Sequence, residues 1–208
     1  MELEIGSHRT ENASAADKIA KIVRFVTVPP LVVTAVMTIL LFLEDVFPTV
    51  LDYALTVLFL GFLPVLAYPL QKLVPAWRRG GRTVQRRLAF IVTPLSYAGA
   101  VIAAVLRRAI PDLLYISVVY LLSVVLLLLF NKLTPLRASG HACGLAGTVI
   151  LPCLFIGWRA ILPGVLLFGL AFWASVRLKR HTAREFLLGA ALAALAAFVC
   201  FFFIRPAF

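Results

Sequence analysis

The stretch "LLYISVVYLLSVVLLLLF", Leu113 to Phe130, runs for 18 residues without a charged side chain. A helix needs about 20 such residues to cross the roughly 30 Å hydrocarbon core of a bilayer. In lipid the segment must be helical, because unpaired backbone groups are too costly there. The stretch therefore predicts a membrane-spanning helix. Six more apolar segments occur on either side of it: 25–43, 46–70, 88–106, 142–156, 160–176 and 186–204.

The composition of the whole chain is that of a membrane protein. Hydrophobic residues make up 62% of the 208 positions and charged residues only 14%, whereas soluble domains are nearer half apolar and a quarter charged. We predict an all-α protein, a polytopic bundle of about seven transmembrane helices, or six if one early segment does not span. Residues 1–24 would form a polar N-terminal tail, and residues 25–208 a single transmembrane domain.

The distribution of charge predicts an orientation. Seven crossings place the tail and the loops 71–87, 131–140 and 177–185 on one side, together with 16 of the 20 lysines and arginines. Because cytoplasmic loops carry the excess of Lys and Arg, we predict a multi-pass protein of the cell membrane, with this basic side and the N-terminus in the cytoplasm. The net charge of +11 suits anionic lipid headgroups, and no nucleic-acid partner is predicted.

The first of two histidine motifs follows the central stretch and reads "NKLTPLRASGHACGLAG" from Asn131. Ser139 is placed to cap a helix that begins near His141, and Gly140 would let an anion approach the first free N–H groups of that helix. Lys132 and Arg137 would add charge, with arginine offering a fork that matches phosphate oxygens. Ionisable groups at membrane depth are functional candidates, so the motif suggests half of an anion site.

The second motif reads "WASVRLKRHTAREFLLGAAL" from Trp173. Arg177, His181 and Glu185 are spaced i, i+4 and i+8, so on a helix they would form one stripe. A carboxylate beside an imidazole fixes its tautomer and stabilises the imidazolium, which suits a nucleophilic or general-base histidine. The alternative is an ordinary charged helix end.

The small residues and cysteines carry less functional information. Four glycines are expected to let neighbouring helices approach closely, namely Gly140, Gly144, Gly147 and Gly189. Cys143, Cys153 and Cys200 lie in apolar runs without paired spacing or neighbouring metal ligands, and are interpreted as small buried hydrophobes. No metal site and no cofactor are predicted.

The two motifs together resemble the second and third signatures of the PAP2 superfamily, the type 2 phosphatidic acid phosphatases, and look most like its small, divergent prokaryotic branch. That family shows a lysine–arginine motif, then P-S-G-H, then S-R followed by H-x-x-x-D. Here "ASGH" (138–141) and "HTARE" (181–185) are the similar stretches. Three positions depart from the pattern: Ala138 stands for proline, Glu185 for aspartate, and Ser175 for the arginine six residues before the histidine.

The lysine–arginine motif has two possible positions in this chain. Lys132 and Arg137 lie immediately before "ASGH", and we favour that pair. Lys72 and Arg79 have the lysine-x6-arginine spacing, but no proline follows and a helix pair intervenes.

The resemblance implies a PAP2-like core and a metal-independent membrane phosphatase that forms a phosphohistidine. In it, His181 would be the nucleophile, Glu185 would orient it, and His141 would protonate the leaving oxygen. Phosphate would be held by Lys132, Arg137, Ser139, Gly140 and Arg177. Its substrate would be a lipid phosphate or diphosphate, with polyprenyl compounds slightly favoured over phosphatidylglycerophosphate and phosphatidate. The alternatives are a lipid phosphotransferase of the same fold and a catalytically degenerate protein that binds or transports anionic lipid.

Overall fold

The computed structural model describes residues 14–204, and all regular structure in this range is helical. The helices are α1 (Ala15–Val26), α2 (Pro29–Leu43), α3 (Val50–Thr56), α4 (Leu63–Val65), α5 (Ala67–Leu73), α6 (Pro75–Arg78), α7 (Gly81–Leu106), α8 (Pro111–Leu133), α9 (Gly140–Phe155), α10 (Ile161–Arg177) and α11 (Ala183–Ile204). A π-helical stretch, Val57–Phe62, joins α3 to α4, and a 3₁₀ turn, Gly157–Ala160, precedes α10. The predicted all-α class is confirmed for this part of the chain. Residues 1–13 of the predicted tail and residues 205–208 lie outside the described range.

Within residues 14–204, between four and six helices are long and apolar enough to cross a membrane. Four qualify alone: Thr83–Leu106, Pro111–Leu133, Gly157–Arg177 and Ala183–Ile204. Two more qualify only as bent pairs, α1 with α2 at 55° and the α3–α4 stretch with α5 at 42°. The remaining apolar helix, α9, has 16 residues, about 24 Å at 1.5 Å per residue against a core of roughly 30 Å. The predicted number of seven spans is therefore not confirmed.

The central helix of the bundle is α8, which contains the charge-free stretch of 18 residues. Half of its most apolar window is buried, against 17 to 28% for the other three long helices. Its buried hydroxyls are paired: Tyr115 donates to the carbonyl of Ala197 at 3.0 Å, and the Tyr120 hydroxyl lies 2.8 Å from that of Thr148. Because buried polar groups must be paired, these bonds fix α8 against α9 and α11.

Consecutive apolar segments run in opposite directions, as in α8 and α9, where Tyr120 lies beside Thr148 and Ser123 beside Cys143. Tyr97 of α7 stacks edge-on against Tyr120 of α8, with ring centroids 5.4 Å apart. Near the far end of α7, Arg107 forms an ion pair with the buried carboxylate of Asp52 at 2.5 Å. The turn after α8 and the turn after α10, which carry the two histidine motifs, lie at the same end of the bundle, because the N–H of Ser139 donates to the carbonyl of Glu185 at 2.9 Å.

The last ten residues of the predicted polar tail belong to α1, which packs against α10. Ser14 caps the helix, its hydroxyl accepting from the N–H of Asp17 at 3.2 Å. On the outward side Ile19, Ile22 and Phe25 are exposed, so α1 is amphipathic. A helix of this kind can lie in the interface of a membrane with its apolar side in lipid.

Two of the four predicted glycine contacts are present. A Cβ built on Gly189 would overlap the carbonyl of Ser139, and one on Gly144 would lie 2.9 Å from the Cβ of Pro29. The expectation fails for Gly147, whose Cβ would meet nothing within 4 Å, and for Gly140, where it would make only an ordinary contact of 3.4 Å with Leu127. In those two places the neighbouring helix backbone is not close enough to require glycine.

Candidate active site

The turn between α8 and α9 is held by the side chain of Asn131. Its Oδ1 accepts from the N–H of Ala138 at 2.7 Å, and its Nδ2 donates to the carbonyl of the same residue at 3.2 Å. The next residue, Ser139, is fully buried, and its hydroxyl accepts from the N–H of Ala142 at 3.2 Å. This is the predicted N-cap of α9, and it fixes His141 in the first turn of the helix.

The imidazole of His141 has an incomplete set of hydrogen bonds. Its Nε2 atom is buried and has no hydrogen-bond partner among residues 14–204. Burial lowers the pKa of His141 below its ordinary value, and the charges of Arg24 and His181 lower it further. Because an unsatisfied buried nitrogen is costly, this atom marks a position where a bound group would complete the hydrogen bonding.

The end of α10 sets the position of the second histidine. Lys179 adopts the left-handed conformation with φ of 49°. The N–H of Arg180 donates to the carbonyl of Ser175 at 3.0 Å, and that of Lys179 donates to Val176 at 2.9 Å. This Schellman arrangement satisfies the last carbonyls of α10 and reverses the chain. His181 lies in the turn that follows, so the predicted single helix with a stripe through Arg177, His181 and Glu185 does not form.

Glu185 nevertheless meets His181 across the start of α11. One carboxylate oxygen, Oε2, lies 3.4 Å from Nδ1 of His181 and also accepts from the N–H of Thr182 at 3.0 Å. The Thr182 hydroxyl accepts in return from the N–H of Glu185 at 3.2 Å. These reciprocal bonds form a capping box. The carboxylate thus anchors the helix start and faces one ring nitrogen, which leaves Nε2 of His181 for other chemistry.

The surroundings of His181 favour its neutral form. Burial lowers its pKa below the ordinary value, and the guanidinium of Arg24 lowers it further. Glu185 raises the pKa of His181, whereas the charge of Arg86 on α7 lowers it further. A neutral imidazole has the lone pair that a nucleophile or base requires.

A backbone hydrogen bond joins the two histidine turns. The N–H of Ser139 donates to the carbonyl of Glu185 at 2.9 Å. Gly189, one turn further along α11, gives the room for this approach. The structure therefore brings His141, His181 and Glu185 together at one end of the bundle, from motifs some 40 residues apart in sequence.

The arginines whose charge lowers the pKa of the histidines are not those that the sequence predicted. Arg24 on α1 is half-buried, and its Nη1 donates to the hydroxyl of Ser175 at 3.0 Å. Its charge acts on both histidines, whereas Arg86 acts on His181. Ser175 is fully buried and occupies the position at which the PAP2 pattern has arginine.

The predicted phosphate-binding cations lie further out. Arg177 forms an ion pair with Asp17 at 2.9 Å and donates to the hydroxyl of Ser14 at 3.1 Å, which ties α10 to α1. Lys132 and Arg137 are exposed, and their side chains make no hydrogen bond or ion pair within the described part of the chain.

The remaining candidates are exposed as well. Gly140 begins α9, where its N–H belongs to the first turn. Lys72 in α5 and Arg79 after α6 are both exposed, and neither is among the charges that shift the two histidines.

Several contributors to the site were missed from the sequence, although signals for some of them existed. The stretch "TARE" at 182–185 has the T-x-x-E spacing of a capping box, so the double role of Glu185 could have been expected. If the resemblance to the PAP2 pattern holds, the serine at 175 would call for a cation from elsewhere in the chain. No local sequence pattern identifies Arg24 as that cation, because it is 151 positions away from Ser175. The role of Asn131 in the turn has no local sequence signal either.

No group of three or more His, Cys, Asp or Glu side chains within residues 14–204 is placed to hold a metal ion. None of the protein-family models, curated proteins or solved structures with which the chain was compared matches it. Two imidazoles, a carboxylate and two guanidinium groups can together bind an anion, attack it and transfer a proton.

Proposed function

We propose that the chain is an integral-membrane phosphatase that hydrolyses a lipid phosphate or diphosphate through a phosphohistidine. The observation that supports this most is the convergence of His141, His181 and Arg24 at one end of the bundle. The charge of Arg24 disfavours the protonated form of both imidazoles. An anion bound among the three groups would reverse that effect, since a negative charge favours the imidazolium, and it would give Nε2 of His141 a partner.

In the first step, the lone pair on Nε2 of His181 attacks phosphorus as the bond from phosphorus to the lipid oxygen breaks. The electron pair of that bond stays on the oxygen, which takes a proton from His141. The carboxylate of Glu185 stabilises the positive charge that develops on His181. Guanidinium groups offset the charge on the phosphoryl oxygens, which is the main contribution a protein makes to phosphoryl transfer.

In the second step, His141 removes a proton from water as the water oxygen attacks phosphorus. The phosphorus–nitrogen bond breaks, its electron pair returns to His181, and inorganic phosphate leaves. His141 is protonated again and ready for the next leaving group. The cycle uses no metal ion and no cofactor.

The position of the site favours a substrate whose tail remains in the bilayer. The histidine turns lie at the ends of long apolar helices, next to a helix α1 that exposes Ile19, Ile22 and Phe25. A headgroup can reach such a site while the acyl or prenyl chain stays in lipid. We favour a polyprenyl phosphate or diphosphate, ahead of phosphatidylglycerophosphate and phosphatidate.

We further propose seven crossings, with the histidine end in the cytoplasm. The antiparallel course of the apolar segments supports this, as does the positive-inside distribution of lysine and arginine. At the opposite end of the described helices lie only Arg107, Arg108 and Arg159.

Phosphate release from a panel of lipid phosphates in detergent, with and without EDTA, tests the proposed function. We expect release that EDTA leaves unchanged, and a loss of several orders of magnitude in His181→Ala, as when other covalent nucleophiles are removed. Arg159→Gln, at the opposite end, is the matched control. A strict need for added Mg²⁺ would contradict the scheme. Transfer of the phosphoryl group to an added alcohol, with no release of inorganic phosphate, would identify a phosphotransferase. Binding of the lipid phosphate without release of phosphate would identify a degenerate lipid-binding protein.

A further inference from the structure

The helix α1 brings a guanidinium to the inner side of the candidate site. Arg24 lies in its last turn, half-buried, and donates from Nη1 to the hydroxyl of Ser175 at 3.0 Å. Ser175 is fully buried in the last turns of α10. After burial itself, the charge of Arg24 is the strongest influence that lowers the pKa of both His141 and His181. Among residues 14–204, no other lysine or arginine is found to shift the pKa of both histidines.

A guanidinium beside two imidazoles would be unfavourable if the function of the site were only to protonate the histidines. A guanidinium beside two imidazoles opposes the protonation of each, and bringing it there costs desolvation of a charge. The same arrangement favours an anion placed among the three groups. The hydrogen bond to Ser175 helps to fix the plane of the guanidinium, and a planar guanidinium matches the oxygens of a phosphate.

We propose that Arg24 binds the phosphoryl group directly, so that α1, from the segment expected to be a polar tail, completes the active site. This inference rests on the proposed function. Arg177 has a different role, since its ion pair with Asp17 docks α1 on α10. The hydroxyl of Ser175 positions the guanidinium and does not itself contact substrate.

Three variants separate substrate binding from helix docking. Arg24→Gln removes the charge, Ser175→Ala keeps the charge but removes its hydrogen bond, and Asp17→Asn breaks the ion pair that docks α1. Lys21→Gln is the matched control, because Lys21 is an exposed cation on the same helix. Each is assayed in detergent for the affinity of inorganic phosphate and for kcat and KM with dihexanoyl phosphatidate.

Arg24→Gln is expected to weaken phosphate binding about tenfold or more and to lower kcat/KM by about 10²- to 10³-fold, the loss typical of one charge-stabilising donor. The acidic limb of the kcat/KM profile should move to higher pH, because removal of the cation raises the pKa of His181. Ser175→Ala and Asp17→Asn should change kcat/KM by less than about tenfold, and Lys21→Gln should match the wild type. If Arg24→Gln does not fold, Arg24→Lys serves instead, with an intermediate loss because the charge stays and the fork is removed.

Losses in Ser175→Ala or Asp17→Asn as large as those in Arg24→Gln would overturn the proposal, because they would show that Arg24 serves only to dock α1. Unchanged phosphate affinity in Arg24→Gln would overturn it too. The results distinguish a wrong role for Arg24 from a wrong enzymatic function. If the wild type releases phosphate through His181 and Arg24→Gln matches it, only the role of Arg24 is lost. If the wild type binds phosphate through Arg24 but hydrolyses no lipid phosphate, the anion site remains and the enzymatic function is lost.

Discussion

Glu185 has two structural partners, and substitution can separate them. Gln can replace Glu in a capping box, so Glu185→Gln keeps the bond to Thr182 and removes the charge beside His181. We expect kcat/KM to fall about 10²- to 10⁴-fold, as when the orienting carboxylate of a catalytic histidine is lost, with little change in melting temperature. The acidic limb of the pH profile should move to lower pH, because Glu185 raises the pKa of His181.

Thr182→Ala is the counterpart, since it removes the cap and leaves the carboxylate. It should lower the free energy of unfolding by about 1 kcal/mol and leave most of the activity. The same loss of activity in both variants would mean that Glu185 acts only through the helix start.

For single residues, the sequence was sufficient to predict which side chains meet when they belong to the same motif. His181 and Glu185 meet because they lie four residues apart at the start of α11. Their approach to His141 depends on the packing of α9 against α11. The two guanidinium groups that act on them come from α1 and α7. Their positions depend on how distant helices pack, and local sequence does not encode that.

Among the helices, the contact between α9 and α11 decides whether the two histidine turns meet. A Cβ on Gly189 would overlap the carbonyl of Ser139, and this is backbone that cannot move aside without shifting the cap of α9. Gly189→Ala should therefore destabilise the protein by about 1–3 kcal/mol, the usual cost of overpacking, and reduce activity more than stability alone explains. Thermal unfolding in detergent, alongside turnover, measures both.

Gly147→Ala is the matched control on α9. Nothing lies within 4 Å of a Cβ at that position, and alanine is the better helix former by about 1 kcal/mol. Equal melting temperatures for Gly189→Ala and the wild type would show that the close contact of α9 with α11 is not needed.

The sequence located all seven apolar segments as helices but not their breaks. The bend between α1 and α2 falls before Pro29 and Pro30, and prolines disfavour helical conformation in the residue that precedes them. Ten of the twelve residues of α1 were predicted to belong to the polar tail, because charged side chains at positions 17, 18, 21 and 24 interrupt the apolar pattern. Packing of α1 on α10, through Asp17 and Arg24, determines which side of α1 turns inward.

For the whole molecule, the proposed orientation predicts which end is accessible from outside the cell. In a variant without native cysteines, an impermeant thiol reagent should label Trp158→Cys and spare Thr83→Cys in intact cells. Both residues are exposed, and they lie at opposite ends of the bundle. Permeabilised cells, in which both should react, are the control. Labelling of Thr83→Cys in intact cells would place the histidine end outside.

The central claim is that His181 becomes covalently phosphorylated during turnover. Rapid acid-free quenching of the protein with a lipid phosphate labelled in its phosphoryl group, followed by mapping of the labelled peptide, measures this directly. We expect acid-labile label on His181 in the wild type and none in His181→Ala. His141→Ala should carry more label than the wild type if the substitution slows the second step more than the first. Steady release of phosphate by the wild type with no label on any histidine, or with label on His141, would contradict it.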